Sequence, residues 1–319
     1  GIRVALNGAI GYASTSNLTY AALEKTLENA IKAAKSIKKE EKQQIEAEVS
    51  QIEMKSPYKI DPFEIAPEEK VSAALDANKA AWINEKIKSA MTRLGMSKDY
   101  RFFMSSEGSR VITETSMIGI AHESIAKSNG IMERVPYQES KCAGYEFISS
   151  MDLNKFTEDI SRLAVEAVES RTPPAGTYTV VVDPNVIGLL LHEAFGHASE
   201  GDLVSTRESV LYGKIGSQVA SEHVTIIDEG VIEGGYFYPY DDEGVKKEKT
   251  FVVENGILKS YLHNRTSAYQ FNVSSTGNGR AQDFENTPIV RQTNYYMEPR
   301  NYNFEELIED VNFGIYIRG

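Results

Sequence analysis

The sequence predicts an α+β protein: N-terminal helices packed on an antiparallel sheet, then a β-rich, barrel- or sandwich-like C-terminal half that carries a helix bearing two histidines and a glutamate. Three observations point there. Helices are expected over 18–39, 67–95 and 152–170, from apolar residues at helical spacing or from proline and acids at the helix start. Runs of β-branched and aromatic residues bounded by Asn-Gly and Glu-Gly turns fill much of the rest. Finally, Arg171-Thr172-Pro173-Pro174-Ala175-Gly176 is a boundary between a predicted N-terminal α/β domain, 1–172, and a predicted β-rich domain, 175–319.

Composition narrows the function classes. The 319 residues have room for about two ordinary domains, and 41% hydrophobic with 25% charged residues is a globular balance. No run approaches the ~18–20 apolar residues a membrane helix needs, and no signal-peptide pattern opens the chain. One cysteine excludes an internal disulfide and fits a reducing, cytoplasmic setting. A net charge of −12 argues against a broad nucleic-acid surface, which needs clustered Lys and Arg. Gly1-Ile2-Arg3-Val4 opens inside an expected strand without an initiator Met, so a fragment lacking both termini is expected.

Taken in order, residues 2–13 suggest two strands around the tight-turn pair Asn7-Gly8. Thr15-Ser16-Asn17 offers caps for the first helix, whose apolar residues stand at 23, 27, 30, 31 and 34. Residues 38–48 are charge-dense, the pattern of a solvated helix face or a connection. Pro57, Pro62 and Pro67 punctuate a loop, and Pro67-Glu68-Glu69 starts a helix expected to reach Leu94-Gly95. Strands are expected at 101–104, 109–115, 117–126 and 143–148, with turns at Glu107-Gly108 and Asn129-Gly130. Asp152 caps the third helix. His122, mid-strand, and the isolated Cys142 read as structural.

The second half opens with a β-branched strand, 177–182, and Asp183 or Asn185 as a cap for the next helix. That helix is the run VIGLLLHEAFGHASEGD, where apolar residues lead into His192-Glu193 and, five residues after the first histidine, His197. Imidazole nitrogens suit Zn²⁺, and a glutamate beside the first histidine is placed to deprotonate a bound water. The common spacing is H-E-x-x-H; a five-residue step on a regular helix rotates the second ring by roughly 140°. Gly196 gives the last turn freedom to bend, loosen or end, so a deformed helix end bringing both rings to one metal is expected. A core helix with two hydrogen-bonded histidines would carry the same residues. Further on, Asp228-Glu229-Gly230, Glu233-Gly234-Gly235 and Glu254-Asn255-Gly256 mark a turn-rich, mainly antiparallel β unit. His223 reads equally as a strand histidine and as a substrate-site group. Asp241-Asp242-Glu243 is either a solvated acidic turn or a substrate-side cluster, and the loop Gly277-Asn278-Gly279-Arg280 either a plain hairpin or a carrier for an arginine that orients a peptide carbonyl or carboxylate.

HEAFGHASEGD, Asp241-Asp242-Glu243-Gly244, Glu254-Asn255-Gly256 and Ser275-Thr276-Gly277-Asn278-Gly279-Arg280 together resemble, in order and spacing, the blocks of the TldD/PmbA family of peptidases, on the TldD side, because PmbA-type paralogues lack the His/Glu set. The resemblance implies a zinc metallopeptidase with His192 and His197 as ligands and Glu193 as general base. It implies a third ligand, a cysteine, beyond Gly319, and makes Glu200 and Asp202 groups that orient the histidines, where a gluzincin analogy would make a downstream glutamate the third ligand. It puts Asp241, Asp242 and Glu243 on the substrate side. It also implies flexible or unfolded peptide substrates, bound as an added strand, and a homodimer or a heterodimer with a PmbA/TldE-like paralogue enclosing the site. The rival readings are a non-catalytic, PmbA-like scaffold that binds peptides, and a metal amidase acting on other substrates.

Overall fold

The computed structural model describes residues 1–37 and 44–319, so part of the charge-dense 38–48 stretch lies outside the described residues. Strands β1 (Ile2–Leu6) and β2 (Ala9–Ala13) form a hairpin. Its turn residues Asn7 and Gly8 have φ of 48° and 77°, as a tight type I′ turn demands. Helix α1 (Tyr20–Ser36) lies on this hairpin. Its cap is Thr19, later than expected, because Asn17 Oδ1 accepts the Thr19 N–H in a turn that precedes the helix. The buried face is Thr26, Ala30 and Ala34, while Leu23 and Leu27 are 37% and 42% exposed. Close approach decides this: a Cβ on Gly11 would overlap the Ala30 carbonyl, so only small residues fit the contact.

Strand β3 (Gln51–Lys55) is followed by α2 (Pro67–Ala80), with Pro67 at its first turn and Glu68 and Glu69 behind it. This helix stops well short of Leu94-Gly95. Residues 87–104 instead form the long strand β4 (Ile87–Met104), where half-buried and exposed residues alternate from Ala90 to Lys98. Strand β5 (Arg110–Ser128) pairs antiparallel with β4 along its length and parallel with β3 over Arg110 to Glu114. Strand β6 (Ile131–Lys141) returns through Asn129-Gly130, at φ 48° and 82°, and pairs antiparallel with β5. Residues 143–148 are not a strand. The Glu146 carboxylate accepts the N–H groups of Lys59, Ile60 and Gly144, at 3.0, 2.9 and 3.0 Å, and folds the segment into the short helix α3 (Glu146–Ser150). Helix α4 (Leu153–Glu169) is capped by Asp152, which accepts the Lys155 N–H at 2.9 Å.

Helices α2 and α4 cover one face of this sheet, where Ile118, Ile120, His122, Ser124 and Ala126 of β5 are buried. His122 is a satisfied structural histidine there: Nδ1 lies 2.8 Å from Thr92 Oγ1 and Nε2 2.9 Å from Ser124 Oγ, and burial pushes its pKa down to about 4. Cys142 is buried too, which raises its thiol pKa.

Residues 170–178 carry neither helix nor strand. After them come β7 (Thr179–Val182) and α5 (Pro184–Leu190), then an irregular turn and α6 (Gly201–Ser205). The remaining elements are β8 (Ile226–Glu229), β9 (Thr250–Glu254), β10 (Ile257–Leu258), α7 (Arg265–Phe271), β11 (Gly279–Arg280), β12 (Ile289–Val290), β13 (Asn294–Met297), α8 (Phe304–Ile308) and β14 (Gly314–Ile317). Strands order as β10-β9-β8-β13 in one antiparallel sheet, β11 pairs with β12, and β7 pairs in parallel with β14. These sheets are open, and among the described residues none closes into the barrel that the turn-rich pattern suggested. The core beneath them gathers Leu191, Val204, Leu211, Ile226, Val252, Val253, Leu258, Tyr261, Leu262 and Val290.

Candidate metal centre

Asp183 starts the helix that bears the histidines: its Oδ1 accepts the Val186 N–H at 2.9 Å, and Pro184 supplies a pre-set first turn. The helix is regular through Leu190. Residues Leu191–Gly196 then widen into a π-helical turn, in which the His197 N–H bonds the His192 carbonyl five residues back, before a 3₁₀ turn, His197–Ser199. A five-residue hydrogen-bond step returns the chain to nearly the same face after five residues. The wide turn therefore does for H-E-x-x-x-H what a regular helix does for a four-residue spacing.

The two rings consequently meet, with centroids 4.8 Å apart and planes at 83°. Glu193 sits between them, Oε1 4.0 Å from His192 Nε2 and Oε2 3.9 Å from His197 Nε2. A donor atom from each of the three residues lies within 4.8 Å of the others. All three side chains reach solvent, with 44%, 63% and 30% of His192, Glu193 and His197 exposed, so the centre opens outward.

Below it lies Glu200, nearly fully buried, whose Oε1 is 3.1 Å from His197 Nδ1. Burial raises the Glu200 pKa, opposed by His197 and by Arg291, whose Nη1 is 3.7 Å from Oε1. In the tautomer with Nδ1 donating to the Glu200 carboxylate, His197 Nε2 keeps its lone pair for the open side, the arrangement that fixes tautomer and ring direction at metal sites. Burial also lowers the His192 pKa, helped by His197, Arg291 and Arg280 and opposed by Glu193, which favours the neutral, ligating imidazole. Two imidazole nitrogens and a carboxylate fit a divalent transition metal such as zinc.

The other anticipated residues are engaged elsewhere in the C-terminal half. Asp202 does not reach a histidine; its Oδ2 accepts the Val290 N–H at 3.0 Å and ties α6 to β12. Asp241 Oδ1 accepts the N–H groups of Glu243 and Val245, both at 2.9 Å, and its Oδ2 that of Gly279 at 2.8 Å. Asp242 Oδ2 accepts the Ala281 N–H at 2.8 Å. Glu243 is buried against Arg3 and accepts the Arg265 N–H at 2.6 Å. The acidic run thus clasps the strand that carries Arg280, whose guanidinium lies 5.9 Å from the Tyr238 ring centroid. His223 precedes β8, and its carbonyl accepts from Arg300 Nε at 3.1 Å. Arg291 and Gln292, both against the histidine-bearing turn, carried no sequence signal: no local motif marks them, and only folding brings 290–292 beside 192–202.

Comparison with known proteins gives three matches to one family: PmbA/TldA metallopeptidase domain 1 over 1–34, its central domain over 60–171 and its C-terminal domain over 175–319. A metalloprotease of Methanocaldococcus jannaschii is 38% identical over 324 residues, spanning 100% of this chain and 70% of the relative. A metalloprotease of Methanothermobacter thermautotrophicus is 33% identical over 81% of the chain and 56% of its own length. A zinc metalloprotease TldD homolog of Saccharolobus solfataricus is 30% identical over 68% of the chain and 49% of its own length. The chain thus spans about half to 70% of these relatives. Among solved structures, a putative modulator of a DNA gyrase from Thermotoga maritima superposes with TM-score 0.84 at 25% identity over 98% of this chain and 70% of that one. TldE from Thermococcus kodakarensis does so with TM-score 0.76 at 21% identity over 98% of this chain and 71% of that one. By its domain matches and by these relatives, the chain belongs to the TldD/PmbA family of metallopeptidases.

Proposed function

We propose that the protein is a zinc-dependent peptidase acting on unfolded or flexible peptides, with His192 and His197 as zinc ligands and Glu193 as general base. The observation that carries this reading is the π-helical turn, which gathers His192, Glu193 and His197 on one open face. The name of the Saccharolobus solfataricus relative, a zinc metalloprotease, supports the choice of metal. Zinc, when bound, supplies Lewis acidity to a scissile carbonyl and to a water. Glu193, exposed and 4.0 Å from His192 Nε2, takes the proton of the attacking water and passes it to the leaving amine. Glu200 holds His197 with Nε2 outward. Arg280, on the strand clasped by Asp241 and Asp242, orients a peptide carbonyl or carboxylate, while Glu243 and Asp202 brace that surface through Arg265 and Val290.

Among the described residues no fourth donor joins the three, so a third protein ligand from the part of the full-length protein outside this sequence belongs to the proposal. So do division into domains 1–172 and 175–319, a cytoplasmic location, and a homodimer or TldE-like heterodimer around the site. No described helix is long and apolar enough to cross a membrane. A peptide-binding scaffold without catalysis would have no use for a carboxylate between two imidazoles. In the full-length protein, Glu193→Ala is expected to keep its zinc, read by mass spectrometry, and to lose peptide hydrolysis by about 10²–10⁴-fold. Wild-type turnover in that variant would remove Glu193 from the mechanism.

A further inference from the structure

The five-residue step between His192 and His197 is held from outside the helix. Residues 290–292 run alongside the segment 192–202 and touch it three times, twice beyond the step and once on it: the Val290 N–H donates to Asp202 Oδ2 at 3.0 Å, Arg291 Nη1 approaches Glu200 Oε1 at 3.7 Å, and Gln292 Nε2 donates to the His192 carbonyl at 3.3 Å. The third contact falls on the carbonyl that also accepts the His197 N–H. Gly196 makes room for it, since any Cβ there would overlap the Gln292 amide. The amide is buried, and its Oε1 finds no hydrogen-bond partner among the described residues. Burying a polar group half-satisfied costs stability, and a methionine of similar shape would avoid that cost. A glutamine here is therefore poorly explained by packing, and well explained by what its N–H holds.

We propose that Gln292 is a positioning residue for the metal centre: seated on Gly196, it bonds the His192 carbonyl, fixes the π-helical turn, and so sets the angle between the two imidazoles. This rests on reading both histidines as zinc ligands. The segment is itself anchored, because the Arg291 N–H donates to the Asn278 carbonyl at 2.9 Å and the Thr293 N–H to Asp228 Oδ1 at 2.7 Å. The turn is thus splinted to the buried base of the C-terminal sheet.

The test compares wild type, Gln292→Met and Gln292→Glu in the full-length protein. Zinc affinity is read by competition with a chelator, stability by thermal unfolding of the metal-free proteins, and the turn by amide hydrogen exchange over 191–199. Gln292→Met should unfold no earlier than wild type, yet bind zinc roughly 10–100-fold more weakly, as for other outer partners of metal ligands, and exchange faster at the His197 amide. Gln292→Glu, which has the same shape but no N–H to give, should lose affinity likewise. Unchanged affinity and exchange in either variant overturns the proposal, and so does a Gln292→Met protein that is unstable or fails to fold, because packing would then be the residue's role. Wild type that takes up no zinc would instead sink the peptidase reading, while the exchange comparison would still decide whether Gln292 holds the turn.

Discussion

Two buried histidines that are not part of the His192–Glu193–His197 group contribute to how this protein responds to acid. His122 and His263 are both nearly fully buried, and burial pushes each pKa down to about 4. Unfolded, each would titrate near ~6.5, so between the two values the unfolded chain binds more protons than the folded one. The stability they protect is complete above about pH 6.5 and drains away as pH falls toward 4. In chemical denaturation at a series of pH values, each histidine should add up to about 1.4 kcal/mol per pH unit to the fall in unfolding free energy between about pH 6.5 and 4, while buried Asp241, its pKa pushed up to about 8, works in the opposite direction. His122→Gln should flatten that slope by its share, and an unchanged slope would mean His122 is not neutral in the fold. Residues of this kind were readable one at a time. His192, Glu193 and His197 announced themselves because their chemistry is local in sequence, whereas Gln292 and Arg291 are ordinary side chains until the fold delivers them.

Elements were legible where a local signal agreed with its tertiary surroundings. Asn7-Gly8 and Asn129-Gly130 both form the turns their identities require, and Asp152 caps its helix as expected. Asp152→Ala should cost about 1 kcal/mol in denaturant unfolding, since Lys155 loses its N–H acceptor, and should leave zinc content unchanged. Where local signals misled, pairing decided. Residues 87–95 have a composition that a helix tolerates, but seventeen residues of register against β5, from Ile87 to Met104, outweigh that preference. The 143–148 segment has strand-like residues, and the reach of one carboxylate, Glu146, turns it into a helix. The first helix was found, and Ala30 and Ala34 of its expected face are buried, but Leu23 and Leu27 are not, because the neighbouring hairpin comes so near that only small residues fit the contact.

At the scale of the molecule, the N-terminal elements grip the C-terminal half at its acidic turn. Arg265, buried at the start of α7, makes a paired bond to Glu107 at 2.9 and 2.6 Å, Arg3 bonds Glu243, and Arg101 lies 3.6 Å from Asp242. A double-mutant cycle of Arg265→Met and Glu107→Gln should give a coupling of about 1–3 kcal/mol, measured by denaturant unfolding. Coupling near zero would mean the halves hold together without this pair. None of these bonds was visible in the sequence, where the partners stand far apart and each looks like one more surface charge. The same grip explains why three adjacent acids, which read as a solvated or substrate-facing run, are engaged with arginines and backbone N–H groups.

The wide turn at 191–196 also has a meaning in counting. Compared with a four-residue spacing, the helix contains one surplus residue, and an α-helix would convert that surplus into about 100° of rotation for everything downstream. Here the turn absorbs it. Both imidazoles keep a common azimuth, and Glu200, three places past His197, arrives under the second ring instead of swinging out to the side. The centre is thus tuned by the number of residues between its ligands as much as by their kind.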